Sequence, residues 1–248
     1  MSDDLQPGRG GNFPQTRQSL LQAVRSGIAD ERQRALDLLI AAYWKPVYKY
    51  IRLRWDKDNE QAQDLTQDFF ARLLERDFFQ KYDPARARLR TFLRVCVDGL
   101  VANHDKAALR LKRGGGAPTL SLDFDAAESE LRRSEPRDPA QPDDFFTREW
   151  ARSLLTLALD RLRREFASRG KTTHFQLLEL YDIEEGGRDL TYEQVAERFS
   201  LKPTDVTNYL AFARREFRRI VLDQLREMTA SDEEFRREAR SLLGVDIP

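Results

Sequence analysis

The stretch TYEQVAERFSLKPTDVTNYLAFARREFRRIV, residues 191–221, decides the fold. Thr191-Tyr192-Glu193-Gln194 is a capping box, in which a hydroxyl and an amide three residues apart satisfy each other's backbone N–H groups. The helix it opens would bury Val195, Ala196 and Phe199, and Ser200-Leu201-Lys202 makes a short turn. Pro203 follows at a first-turn position, where its missing N–H would have had no helical partner anyway. Val206, Leu210, Ala213 and Phe217 then give a second helix its inner face, extended by Ile220 and Val221. Two short helices joined by a tight turn, the second of them basic, are the parts of a helix-turn-helix. The outer face of the second helix carries Thr204, Asp205, Thr207, Asn208, Ala211, Arg214 and Arg215. Hydroxyls, amides and guanidinium groups match the base-edge donors and acceptors of the major groove. Arg218 and Arg219, about a turn further on, suit phosphates. An ordinary helical hairpin with a solvated basic face would share this pattern.

Upstream, helical periodicity dominates. Residues 1–16, with Pro7, Gly8, Gly10, Gly11 and Pro14, read as a disordered tail. A short helix is expected from about Arg17 to Ser26. Asp30 and Gln33 form a capping-box pattern ahead of Leu36, Leu39, Ile40, Tyr43 and Val47, and Pro46 predicts a kink or break near Lys45. Asp58 and Asn59 would cap a helix to about Arg76, with Ala62, Leu65, Phe69 and Leu73 inward. Leu89 to Lys112 reads as a further helix, ending at Gly114-Gly115-Gly116. Pro118, Pro136, Pro139 and Pro142 interrupt an acidic linker, residues 117–143. A long helix from about Asp144 to Arg169 and a segment from Thr173 to Tyr181 lead into the helix-turn-helix. Ser231-Asp232-Glu233-Glu234 opens a last amphipathic helix with Phe235, Ala239, Leu242 and Leu243. No segment shows the two-residue alternation of strands. The expected architecture is all-α, in two helical domains: 17–116, then after the linker 144–226, with an extension at 227–248.

Two charged segments stand out. The helix from Asn59 exposes Gln63, Asp64, Gln67 and Asp68, and Asp64 and Asp68 repel at four-residue spacing unless something cationic meets them. Such a pair usually marks a solvated acidic face; an arginine-rich partner is another solution. A divalent metal would want more oxygen ligands than two. Downstream, Phe78-Phe79-Gln80-Lys81-Tyr82 precedes Arg86, Arg88 and Arg90. Aromatic and cationic groups interleaved in this way suit single-stranded nucleic acid, and Phe78 and Phe79 would serve equally well to close a local core.

The 248 residues hold 42 basic and 42 acidic side chains, so net charge names no partner. The local bias is strong: from Pro84 to Gly116 eight cations face two acids, a net of +6, and from Ser121 to Glu149 nine acids face four arginines, a net of −5. A single cysteine, Cys96, excludes a disulfide framework and falls on an apolar face as a core thiol. His104 and His174 lack a Glu or His three or four positions earlier, so the common helical metal spacings are missing. The glycines at 114–116 follow a helix rather than precede one, and no serine sits in a nucleophile elbow. No apolar run approaches the ~20 residues of a membrane span. The composition predicts a soluble, cytoplasmic chain that is not an enzyme and needs no cofactor or metal.

Taken in order, an acidic Asp-Gln helix, an aromatic-basic bridge, a basic helix, an acidic linker and a C-terminal helix-turn-helix make a pattern. It resembles a bacterial RNA polymerase sigma factor of the extracytoplasmic-function (ECF) group. The residues that carry the likeness are DLTQDFF at 64–70, YDP at 82–84, RTFL at 90–93, KRGGG at 112–116 and LTYEQVA at 190–196. It runs from about Leu36 to Leu225. The KRGGG ending and the Trp150 helix look like a sub-type of planctomycete-like bacteria. The resemblance implies a factor that directs core RNA polymerase to promoters and assists their melting. Asp64, Gln67, Asp68 and Phe69 would dock on the coiled coil of the polymerase's largest subunit. Arg86, Arg88, Arg90, Asn103, Lys106, Arg110, Lys112 and Arg113 would meet the minus-ten element and its melted strand. Thr204, Asp205, Thr207, Asn208, Arg214 and Arg215 would read the minus-thirty-five element, with Arg214 worth roughly 1–3 kcal/mol if it pairs bidentately with a guanine. The implied partners are core polymerase and promoter DNA, with room for an anti-sigma factor or other regulator, and no membrane.

Two rival readings remain at this point. One is a stand-alone helix-turn-helix regulator with a helical N-terminal domain. The other is a metal-dependent nuclease using Asp64 and Asp68.

Overall fold

The computed structural model describes residues 23–24, 28–75, 77–108, 120–133, 142–229 and 231–244. Among these there is no strand. The expected tail at 1–16, most of the first short helix, and Arg110, Lys112, Arg113 and Gly114 to Gly116 lie outside the described residues.

Helix α1 spans Ala29–Arg54 without a break. Asp30 and Glu31 in its first turn and Arg52 and Arg54 in its last complement the helix dipole. The expected capping box does not form: the N-cap is Ile28, and Gln33 donates instead to Asp37. Pro46 lies inside α1 and is buried. Its lost hydrogen bond is outweighed by the packing of Ala42, Tyr43, Val47 and Ile51 around it, all nearly inaccessible. Helix α2 is Asn59–Leu73, capped by the Asp58 carboxylate accepting from the Gln61 N–H at 2.8 Å. A 3₁₀ turn at Phe78–Lys81 leads to α3, Leu89–Ala108.

The acidic linker holds a helix that its prolines hid. This α4, Phe124–Arg133, lies between two of the breaks, with the Asp123 carboxylate accepting from the Ala126 N–H. Its acids meet cations of α1: Glu130 pairs with Lys45 at 2.6 Å and Lys49 at 2.9 Å, and Glu128 with Arg52 at 2.9 Å. Helix α5, Pro142–Ser168, begins on a proline, and α6, Thr172–Leu178, runs on into a wider turn at Glu179–Ile183. Helices α7, Tyr192–Phe199, and α8, Pro203–Glu227, make the helix-turn-helix. Helix α9, Asp232–Leu243, starts at Ser231, whose hydroxyl accepts from the Glu234 N–H at 3.1 Å, and ends at Gly244 with φ +64°.

The largest apolar cluster joins α1, α2 and α3 to Phe146, Trp150 and Leu154 of α5, Leu225 of α8 and Phe235 and Ala239 of α9. It therefore crosses the boundary expected between the two halves. Tyr43 of α1 meets both Phe146 and Trp150, at 6.4 and 6.3 Å. Lys49, 1% exposed, donates to Glu149 of α5 at 2.7 Å and to Glu130 of α4.

Glu128 makes this junction sensitive to acid. The Arg52 guanidinium, and after it the Tyr48 hydroxyl at 2.6 Å, hold its buried carboxyl down to about 2. A folded-state value below the unfolded one stabilises the fold above the ordinary Glu range, and that stability is lost as pH falls towards 2. On the order of 3 kcal/mol should vanish between about pH 5 and pH 2. Urea unfolding across that range should show it, and Glu128→Gln should flatten the dependence while lowering stability near neutrality.

Candidate nucleic-acid interface

The helix-turn-helix is held by its own small core of Leu177, Leu180, Val195, Ala196, Val206 and Leu210. Both halves of the Thr191/Gln194 capping box are present. At the turn, Ser200 adopts φ +55°, and the Leu201 N–H closes the helix on the Ala196 carbonyl at 2.9 Å. Pro203 occupies the first turn of α8. Thr204, Asn208, Arg215 and Arg218 are all exposed, and their spacing of four, seven and three residues aligns them in one stripe along α8. The Arg215 guanidinium lies 5.9 Å from the Phe212 ring. Thr207 is exposed too, with its hydroxyl donating to the Pro203 carbonyl at 3.1 Å, and Asp205 is half-buried in the first turn.

Arg214 is exposed as well, but it already has a partner. Its guanidinium forks onto the Asp182 carboxylate at 2.8 and 2.9 Å and lies 5.7 Å from the Tyr181 ring. The Asp182 hydrogen bonds push it above its ordinary range. The pair is solvent-exposed, with the Arg214 side chain 43% accessible, and ties α8 only lightly to the turn after α6. Nearby, His174 stacks on Tyr209 of α8 at 4.0 Å. Arg219 does not extend the stripe either, for it joins Glu165, Glu216 and Asp223 in a network between α5 and α8.

Along α3 the predicted cations divide. Arg86, ahead of the helix, is exposed beside Asp83 at 3.3 Å, and Asn103 and Lys106 are exposed. Arg88 is half-buried, 3.4 Å from Glu238. Arg90 is 8% exposed, ion-paired with Glu238, with its guanidinium 5.2 Å from the Trp150 ring. Arg90 therefore offers DNA nothing in this arrangement. The aromatic bridge is core: Phe79 is buried, and Phe78 meets Phe69, Phe79 and Phe92 edge-on at 6.0, 5.0 and 5.8 Å. Cys96 is half-buried rather than fully so, and burial pushes its thiol up to about 11.

On α2 the four predicted docking residues separate as well. Asp64 is exposed, and Asp68 is half-buried and pairs with Arg72 at 3.0 Å. Gln67 clamps the linker, donating to the Leu120 carbonyl and accepting from the Leu120 N–H, both at 2.8 Å. Phe69, 1% exposed, faces the interior, so a docking role for its ring is excluded in this fold. Sequence periodicity had already put Phe69 on the inner stripe, and only the family likeness moved it outward. Among the described residues no group of three or more His, Cys, Asp or Glu is arranged to hold a metal ion, and no helix is long and apolar enough to cross a membrane.

An all-α body whose helix-turn-helix turns hydroxyl, amide and guanidinium groups outward belongs to the class of helix-turn-helix DNA-binding proteins. The family model for ECF sigma factors matches residues 15–224, and the chain belongs to that family. Its members are transcription initiation factors rather than enzymes, and they bind core RNA polymerase and promoter DNA. No curated protein and no solved structure matched.

Proposed function

We propose that this chain steers core RNA polymerase to promoters through two separate surfaces and helps open the DNA between them. The exposed stripe Thr204, Asn208, Arg215 and Arg218 carries this reading. It supplies the donors and acceptors of a major-groove reader, on a helix whose opposite face is locked by packing. Thr207 and Asp205 flank the stripe, and Arg215 takes the base-reading part that spacing alone would have shared with Arg214. Arg86, Asn103 and Lys106 would meet the minus-ten region. Binding energy for splayed single-stranded bases offsets an unstacking cost of a few kcal/mol. Asp64 and Asp68, side by side on α2, would receive a cationic polymerase surface. No bond in a substrate is made or broken by this chain.

In vitro transcription with core polymerase on a genomic fragment library, with start sites mapped, tests the reading. The wild-type chain should create defined starts. The Asp64→Ala/Asp68→Ala double variant should lose at least tenfold of that activity while keeping its DNA affinity, since an exposed i,i+4 pair such as Asp68–Arg72 contributes only a few tenths of a kcal/mol to the fold. Start sites that are the same with and without the chain would refute it.

A further inference from the structure

Helix α9 lies beyond the residues matched by the family model, and it buries two carboxylates in the other half of the molecule. Glu234 and Glu238, each 3% exposed, are four residues apart and therefore side by side, an arrangement that repels unless cations or N–H groups meet both. They are met at the start of α3. The Glu234 carboxylate accepts from the Leu89 N–H at 3.0 Å, and Glu238 pairs with Arg90 and lies 3.4 Å from Arg88. A helix N-terminal amide together with two guanidinium groups is a phosphate-binding set. Here that set is filled by the protein's own acids.

We propose that α9 is an internal substitute for the DNA backbone, occupying the Arg88–Leu89–Arg90 cradle in the free chain and yielding it to phosphates when promoter DNA is engaged. The use of that cradle by DNA rests on the function proposed above; its occupation by α9 does not. Two features favour a releasable contact over a purely structural one. Glu238 and the Arg88 and Arg90 guanidiniums gain little stability from burial over apolar residues of the same size, and a DNA phosphate could replace the carboxylate with the same donors. The helix is also short: Phe235 and Ala239 enter the main cluster, Leu242 and Leu243 pack at its end, and its outer side carries the exposed Arg236, Arg237 and Arg240. Arg90 also lies 5.2 Å from the Trp150 ring, so the cradle sits where α3 meets α5.

The test compares the full-length wild-type chain with Glu234→Gln/Glu238→Gln, whose amides keep size and can still accept from the Leu89 N–H. Binding is measured by fluorescence anisotropy to a mixed-sequence forked duplex, across a salt series. The variant should bind at least tenfold more tightly, and its salt slope should steepen by about two, one for each arginine made available to phosphate. Equal affinity and equal slope would overturn the proposal. Hydrogen exchange on the wild-type chain gives a readout independent of the variant's folding: α9 amides should lose protection when the forked duplex is added, and unchanged protection would overturn it. Core-dependent transcription separates the two readings. If both proteins start transcripts but bind free DNA equally, only the α9 proposal fails. If neither starts transcripts yet the variant binds DNA more tightly, the sigma-factor reading fails and the α9 contact stands.

Discussion

Phe69→Ala should destabilise the fold by about 3–5 kcal/mol, the range for removing a fully buried aromatic ring. The ring is 1% exposed and meets Phe70 edge-on at 5.1 Å and Phe78 at 6.0 Å, so its loss leaves a cavity that two stiff neighbours cannot easily fill. The denaturant midpoint measures the loss. Phe69→Leu should recover much of it, because a volume close to the original keeps the cluster packed. Polymerase binding should fall only in proportion to unfolded protein. A Phe69→Ala chain that folds within about 1 kcal/mol of wild type yet no longer binds polymerase would return the ring to the docking surface.

Lys49→Ala should cost about 3 kcal/mol, the lower end for removing one partner of a buried ion pair. It would leave the buried Glu149 carboxylate with Arg152 as its remaining charged partner, and would strip Glu130 of one of its two lysines. The companion Lys49→Met/Glu149→Leu should recover most of the loss, since it removes both charges and fills the space with apolar atoms. Urea denaturation of Lys49→Met, Glu149→Leu and the double gives the coupling directly. Additive effects would mean that Lys49 and Glu149 do not depend on each other, against their 2.7 Å contact. Because Lys49 joins α1 to both α4 and α5, this measurement also weighs how firmly the linker and the second half are held to the first.

Much of the architecture was legible because helices write their faces into local spacing. The Asp58 cap, the Thr191/Gln194 box, the inner stripe of α2 and the two helices of the helix-turn-helix are signalled by spacing within a few residues, and all formed. Where local signals misled, packing had overruled them. Pro46 did not break α1, because burial of Ala42, Tyr43, Val47 and Ile51 outweighs one missing hydrogen bond. Prolines 118, 136, 139 and 142 made the linker look structureless, yet Phe124 packs against Trp44 and Tyr48 at 5.7 and 5.3 Å, and the acids of α4 find Lys45, Lys49 and Arg52. Those partners lie about eighty residues away along the chain, where no window of sequence could pair them.

The amino-acid sequence by itself determined most helices outside the linker, the apolar face of each, and the sigma-factor pattern with its helix-turn-helix after the linker. Tertiary structure alone decided which charges are available to a partner. Arg214 was spoken for by Asp182, Gln67 by Leu120, and Arg90 by Glu238. The reason is physical: periodicity is a property of neighbours three and four residues apart, whereas a guanidinium chooses its carboxylate from whatever the folded chain brings within a few ångströms.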